Sequence, residues 1–439
     1  MRPAKTLLAL ALCAALLFSF GCAAPQILPA PAGTPVPGPA EPVFAQPLSV
    51  PALSPKPLTA PDYDQPQESA PGANAFGFAL AQKLYRPGEN MVLSPFSVWM
   101  TLAALSNAAD GSALPALLKA LGMEETTPEA LNTAASRMLY DLTSNEGKGE
   151  GTHNPLAIAN AVFVDRDATL KRAFAQSFLD SYRGAAMNVN FRDPAAIAAI
   201  NAWASGQTKG LITDLVKEIP EDTVAALANA VYFSDRWGVE FDEGKTAAGV
   251  FHGAKTDAEA QFMLREGDGL PYYGDAGLQG IDLPFKSGGG MYILLPRDGD
   301  AGKLLGSLDA ARFSEILSKT GRSTGKLLLP RFSLDSSYNL TDTLKALGVP
   351  LFDPDDPKLT GLVEETDAYI SAALHQATIR VDEKGTTAAA VTVEMMSGTA
   401  LPLPTEPFSM VCDHPFVFVL HRWAAGSDQV LFAGVVNQL

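Results

Sequence analysis

The sequence predicts an α+β fold in one large folded unit, on three observations. Segments with helical spacing come early and most strand-like segments come later, which opposes a βαβ repeat. No second proline-rich break follows residue 71, and no internal repeat is found.

The elements follow in order. "NAFGFALAQKLYRPGEN" opens a helix near Asn74 that Pro87-Gly88 stops. "NMVLSPFSVWMTLAALSNAADG" gives a short strand to Leu93 and then a buried helix, with Ser94 placed to cap it and Pro95 at its first position. "AIANAVFVDRD", "VAALANAVYFSDRW", "GGGMYILLPRDGD" and "KLLLPRFSLD" are apolar runs with polar ends, each expected as a strand. "PAAIAAINAWASGQTKG" and "NLTDTLKALGV" are expected as helices, the second ended by Gly348. "HQATIRVDEKG" alternates, and "HPFVFVLHRW" and "QVLFAGVVNQL" close the chain as strands.

Composition narrows the function. The 439 residues carry a net charge of −16, so there is no basic excess to neutralise nucleic-acid phosphates or an anionic membrane surface. Three cysteines cannot make a disulfide framework, and Cys13 and Cys22 fall in the N-terminal leader. Cys412 is expected as a small buried residue of a strand.

The leader, "MRPAKTLLALALCAALLFSFGCAAP", has a basic start and an apolar stretch too short to span a membrane, as a secretory signal peptide does. Gly21-Cys22 resembles the end of a bacterial lipobox, although Ser19 and Phe20 depart from that pattern. Residues 1–22 are therefore read as a signal peptide whose Cys22 is lipidated, which would tether the protein outside a bacterial cell; cleavage after Ala24 and plain secretion are the alternative. Residues 23–71 are a proline-rich, disordered linker, since proline fixes φ and removes donors. Extended, it would reach on the order of 100 Å.

Enzyme signatures fail on context. Gly321–Gly325 spells G-x-S-x-G, but a nucleophile elbow needs a strand before Ser323 and a helix after it. Here "AARFSEILSKT" reads as a helix before and "KLLLPRF" as a strand after, so a helix-to-strand loop is expected. The five histidines show no paired metal spacing, and "RDGDAGK" lacks the parts of a phosphate loop. The chain is read as no enzyme, with neither metal nor cofactor.

One stretch calls for another explanation. In "VDEKGTTAAAVTVEMMSG" a strand from Thr386 would place Thr386, Ala388, Ala390 and Thr392 on one face and Thr387, Ala389, Val391 and Val393 on the other. All are small or β-branched, and none is charged. Such a segment can slide into a packed sheet, where bulk or charge would cost several kcal/mol. Gly385 supplies the backbone freedom for the bend.

Over residues 72–439 the chain resembles a serpin of the inhibitory kind. "NMVLSPFSVWMTLAAL", "INAWASGQTKGLITDLV", "LANAVYFSDRW", "LLLPRFSLDSSYNLTDTLKALGV", "DEKGTTAAA" and "DHPFVFVL…VLFAGVVN" follow the family's motifs in the family's order. The resemblance implies three β-sheets, about eight or nine helices, a metastable native state and an exposed reactive-centre loop over about 383–407. It implies a monomeric suicide substrate: a serine protease cleaves the loop and is acylated, and the hinge then inserts as a strand of the main sheet before water releases the enzyme, leaving a covalent complex.

Residues carry over by motif. Glu383, Gly385, Thr386, Thr387, Ala388, Ala389 and Ala390 match the hinge, and Arg331 the basic partner of Glu383, a pair that could equally be solvated surface charge. Trp237 matches the tryptophan beneath the start of insertion. Ser94, Ser97, Asn229 and His375 match the polar cluster under the opening sheet. Counting about sixteen positions from Glu383 puts the reactive bond at Thr399-Ala400, with Met395, Met396 and Ser397 as alternatives because Glu394 would bring a carboxylate to the core face. These neighbours suit an elastase- or subtilisin-like protease. A non-inhibitory serpin, a cysteine-protease inhibitor and, more remotely, a secreted serine hydrolase are the other readings.

Overall fold

The computed structural model describes residues 53–60, 72–143, 156–220, 223–365, 367–386 and 407–439. Helix α1 (Gly72–Leu84) sends Phe76, Phe78 and Leu80 into the core. A short β1 (Met91–Leu93) leads to α2 (Pro95–Leu105), every residue of which is buried. A helix apolar all round becomes the central one. Its start follows the sequence: Ser94 Oγ accepts from the Ser97 amide at 3.4 Å, and Pro95 stands where no backbone donor is needed.

Helices α3 (Ala113–Ala120) and α4 (Pro128–Thr143) follow, then β2 (Leu156–Asp165), α5 (Arg172–Tyr182), β3 (Ala185–Val189) and α6 (Ala195–Gln207). β4 (Ala225–Phe233) runs almost directly into β5 (Asp235–Arg236). Next come β6 (Ala247–His252), β7 (Asp257–Gly274), β8 (Leu278–Pro284) and β9 (Gly290–Pro296). Asp300 and Asp309 cap α7 (Ala301–Ser307) and α8 (Ala310–Lys319). β10 (Gly321–Pro330), β11 (Phe332–Asn339), α9 (Thr341–Ala346), β12 (Ala372–Val381), β13 (Gly385–Thr386), β14 (Phe408–Val411), β15 (Phe416–Ala424) and β16 (Ser427–Val436) complete the described chain.

One sheet has the order β3-β2-β4-β12-β13-β5, with β11 on the far side of β12. Its centre is buried on both faces. Along β4, Leu227 and Val231 face the main core, while Ala226, Ala228 and Ala230 face a second core with Phe163 and Ile200 of α6. The other sheet runs β1-β16-β15-β9-β8-β7-β10-β14, with β6 also on β7. Three sheets are implied by the resemblance; here the 18-residue β7 pairs with β6, β10 and β8 in turn, so two of them join into one ladder.

Three details depart from the sequence reading. "KLLLPRFSLD" is two strands, because the ladder to β7 ends at Pro330 and the chain crosses at Arg331 into the other sheet. The G-x-S-x-G stretch is no loop: β10 begins at Gly321, with an irregularity between Ser323 and Gly325, and Leu270 of β7 lies across from Ser323. Part of the proline-rich linker lies on the body. The Lys56 amide donates to Asp180 Oδ1 at 2.9 Å, Gln176 donates to the Ser54 carbonyl at 3.1 Å, and Arg183 to the Lys56 carbonyl at 2.6 Å. Leu53 and Leu58 pack against the core beside these bonds.

Candidate functional site

The site is the seam between the parallel strands β4 and β12, and its two ends are built differently. In the lower part the strands are paired from Ala226↔Ala372 to Tyr232↔Thr378. One row across this closed region is polar: Asn160 of β2, Asn229 of β4, His375 of β12 and Tyr338 of β11 stand opposite one another in register. The row faces the start of α2. Asn229 Nδ2 donates to Thr101 Oγ1 at 2.6 Å and to Asn160 Oδ1 at 2.9 Å, and Ser97 Oγ donates to Asn160 Oδ1 at 2.7 Å.

His375 is fully buried, with 0% exposure. Its Nε2 accepts the Ser94 amide at 3.0 Å, and the Tyr338 ring lies nearly parallel to it. Nε2 being an acceptor, the ring proton sits on Nδ1, which has no hydrogen-bond partner among the described residues. A buried donor left unmet costs about 1–3 kcal/mol. Burial also pushes the imidazole pKa down to about 3, so the ring is neutral.

At the upper end the seam parts and β13 occupies it. Thr386 pairs with Val381 of β12 on one side and Asp235 of β5 on the other, and is completely buried. The turn before it is ordered by Asp382, whose Oδ1 accepts the amides of Lys384 at 2.9 Å and Gly385 at 3.2 Å. Gly385 has φ +153°, and a Cβ there would lie 2.0 Å from the Asp235 carbonyl oxygen, so only glycine fits. Trp237 is the floor of this end. Its ring nitrogen donates to the Asp382 carbonyl at 2.8 Å, its amide to the Lys384 carbonyl at 2.9 Å, and its indole stacks on Phe285.

Arg331 closes the upper end with a two-pronged grip on Glu383, Nε at 2.9 Å from both oxygens and Nη2 at 2.6 Å from Oε1, while Thr246 donates its hydroxyl to Oε1. The pair is not simple surface charge: the Glu383 side chain is 4% exposed, whereas Arg331 is 46% exposed. Burial alone would raise the Glu383 carboxyl, but the Arg331 and Thr246 hydrogen bonds outweigh it and hold it below the usual range.

The structure thus brings together Ser94, Ser97, Asn229 and His375 below, and Trp237, Arg331, Glu383, Gly385 and Thr386 above. Asn160 and Thr101 belong to the lower cluster and were not singled out from sequence. The signal for Asn160 was present, because Ala-Asn-Ala-Val occurs at 159–162 and again at 228–231. Thr387, Ala388, Ala389, Ala390, Met395, Met396, Ser397, Thr399, Ala400 and Cys22 lie outside the described residues. Cys412 is buried beside β10, its thiol pushed upward by burial, as a packing residue would be.

A family model described as serpin (serine protease inhibitor) matches residues 71–439. The chain belongs to the serpin family. It is 31% identical to an uncharacterised serpin-like protein of Thermococcus kodakarensis, over 82% of this chain and 83% of that one. It is 28% identical to the plasma serine protease inhibitor of Bos taurus, over 84% and 90%. The crystal structure of tengpin, a thermophilic serpin in the native state, superposes with a TM-score of 0.76 at 25% identity, covering 88% of this serpin and 97% of that chain. Human thyroxine-binding globulin shares the fold at a TM-score of 0.73 and 22% identity, over 84% and 98%. As a serpin, the chain sits in a family whose members are in general protease inhibitors and not catalysts.

Proposed function

We propose that this serpin is an inhibitor that acts as a suicide substrate of a serine protease. The observation that carries the reading is the seating of Gly385 and Thr386 between β12 and β5, where a small buried strand already begins to separate the seam. A cleaved loop would extend this strand downward between β4 and β12. The lower polar row would then be drawn apart by one strand spacing, roughly 5 Å, and the unmet Nδ1–H of His375 would be free to find a new partner.

The bait is read as Thr399-Ala400, with Met395, Met396 and Ser397 as alternatives, for an elastase- or subtilisin-like enzyme. The protein is read as a secreted monomer, tethered through lipidated Cys22. A second reading, a non-inhibitory serpin, is favoured by the fold shared with thyroxine-binding globulin, whose name states a different ligand.

Incubation with elastases and subtilisin, denaturing electrophoresis and mass measurement of the released C-terminal peptide separate the two. The inhibitory reading expects a complex that survives denaturant and a peptide beginning at Ala400. Cleavage without a complex across the panel would sink it.

A further inference from the structure

A strand that joins a sheet must choose a register, and a slip of one residue turns every side chain to the wrong face. In this chain that choice is made at Gly385 and Thr386, opposite Arg236 and Asp235. Asp235 meets the hinge through its backbone. Its amide donates to Thr386 Oγ1 at 3.0 Å, the Thr386 hydroxyl donates to its carbonyl at 3.3 Å, and that carbonyl is the atom that excludes any side chain at 385.

The Asp235 carboxylate fixes β5 in turn. Oδ1 accepts the Arg236 amide at 2.7 Å, and Oδ2 accepts the hydroxyl of Ser287 and, at 3.3 Å, its amide. Ser287 lies in the turn between β8 and β9. Arg422 of β15, itself buried, grips that residue through the carbonyl at 2.9 Å and the hydroxyl at 3.4 Å. The same turn holds the flank of β5, with the Lys286 amide on the Arg236 carbonyl at 2.9 Å. The strand that guides the hinge is thereby fastened to the nine-stranded sheet, while the hinge enters the other one.

We propose that Asp235 is a positioning residue for loop insertion, a latch that holds β5 as the rail against which the hinge takes its register. The inference rests on the inhibitory reading and adds a residue to it. Burial pushes the Asp235 carboxyl up, and the hydrogen bonds from Ser287 and Arg236 and the charge of Arg422 offset this only in part. A carboxylate with no role would be better placed in water.

Asp235→Asn keeps the size but turns an NH2 group toward the Ser287 amide, and Ser287→Ala removes the hydroxyl link from the other side. Two readouts test them. Deuterium uptake on the uncomplexed protein needs no protease: residues 382–386 should exchange faster in both variants while residues 372–380 keep the wild-type rate. Against a protease, the rate of initial acylation should hold while inhibitor consumed per enzyme trapped rises by about threefold or more, a change in partition that lost stability alone would not produce.

Unchanged exchange over 382–386, or an equal rise over 372–380, overturns the latch. If the wild type traps no protease, the inhibitory reading fails and the exchange comparison alone decides Asp235. If Asp235→Asn does not fold, Ser287→Ala carries the same decision.

Discussion

The two ends of the β4–β12 seam use polar groups in opposite ways. Below, Asn160, Asn229, Ser97 and Thr101 satisfy one another in a sealed layer that carries no charge, and one His375 nitrogen goes unmet. Above, a charged pair straddles the boundary with solvent, and the gap is filled by two small residues, Gly385 and Thr386. On the proposed inhibitory reading, neutral hydrogen bonds close a seam that would separate as a unit, while a charged clasp would mark the edge where separation starts.

The largest expected effect comes from Thr386→Arg, which would force a long charged side chain between Val381 and Asp235 at a cost of several kcal/mol. Loop cleavage should continue while the denaturant-stable complex disappears from gels; full trapping by this variant would mean that insertion does not begin here.

Second is acid sensitivity of the lower end. His375 has a folded pKa of about 3 against 6.5 in the unfolded chain, so the unfolded state takes up the proton first. The stability is whole above pH 6.5 and is lost as pH falls toward 3, by about 1.4 kcal/mol per pH unit. Glu383, held low, contributes above its unfolded value of 4.5 and loses that contribution only below it. His421 is also buried, and burial opposes its charge, yet Asp282 and Asp428 lift it to about 9; its contribution is whole below 6.5 and fades as pH rises through 9. The loss of stability toward acid between pH 4.5 and 6.5 is therefore the contribution of His375, and Asp235, whose raised carboxyl takes up its proton in the folded state first, opposes it. Urea titrations across that window should show it, and His375→Gln should flatten it.

Third, Asn160→Ala removes the shared acceptor of Ser97 and Asn229 and should cost about 2 kcal/mol, measured as a lower urea midpoint. Deuterium uptake at 382–386 should stay at the wild-type rate, keeping the two ends distinct. Smallest is Arg331→Ala, about 1–2 kcal/mol at low salt: the guanidinium is half in water, which screens the pair, but its loss leaves the buried Glu383 carboxylate with Thr246 as its remaining side-chain partner. Raising the ionic strength should narrow the gap to wild type; an effect independent of salt would mean that the pair acts by packing.

Much of this was legible in the sequence because it depends on neighbours along the chain. Ser94-Pro95 announces a helix start, Gly348 a helix end, and Gly385-Thr386 the start of a strand of small residues. What was not legible depends on residues far apart. Glu383 is held by the Thr246 hydroxyl on its carboxylate and the Phe241 amide on its carbonyl, and nothing near "VDEKG" says so. Thr101 and Asn160 become a cluster only when α2 lies under β2. Gly321–Gly325 has loop composition, yet the partner strand β7 extends far enough to pair it. Proline content excluded helix and sheet at residues 53–60, but it says nothing about whether an extended segment adheres to a helix.

That adhesion changes where the molecule is held. The family match begins at residue 71, yet among the described residues the chain already meets the body at 53–60, through Lys56 on Asp180 and Arg183 and through Ser54 on Gln176. If the N-terminal side is anchored as proposed, tension from it would be delivered to α5 before it reached the buried first turn of α1. The segment works as strain relief does on a cable, so that a tug on the leader side loads one helix broadside and spares the element from which the rest of the fold is threaded.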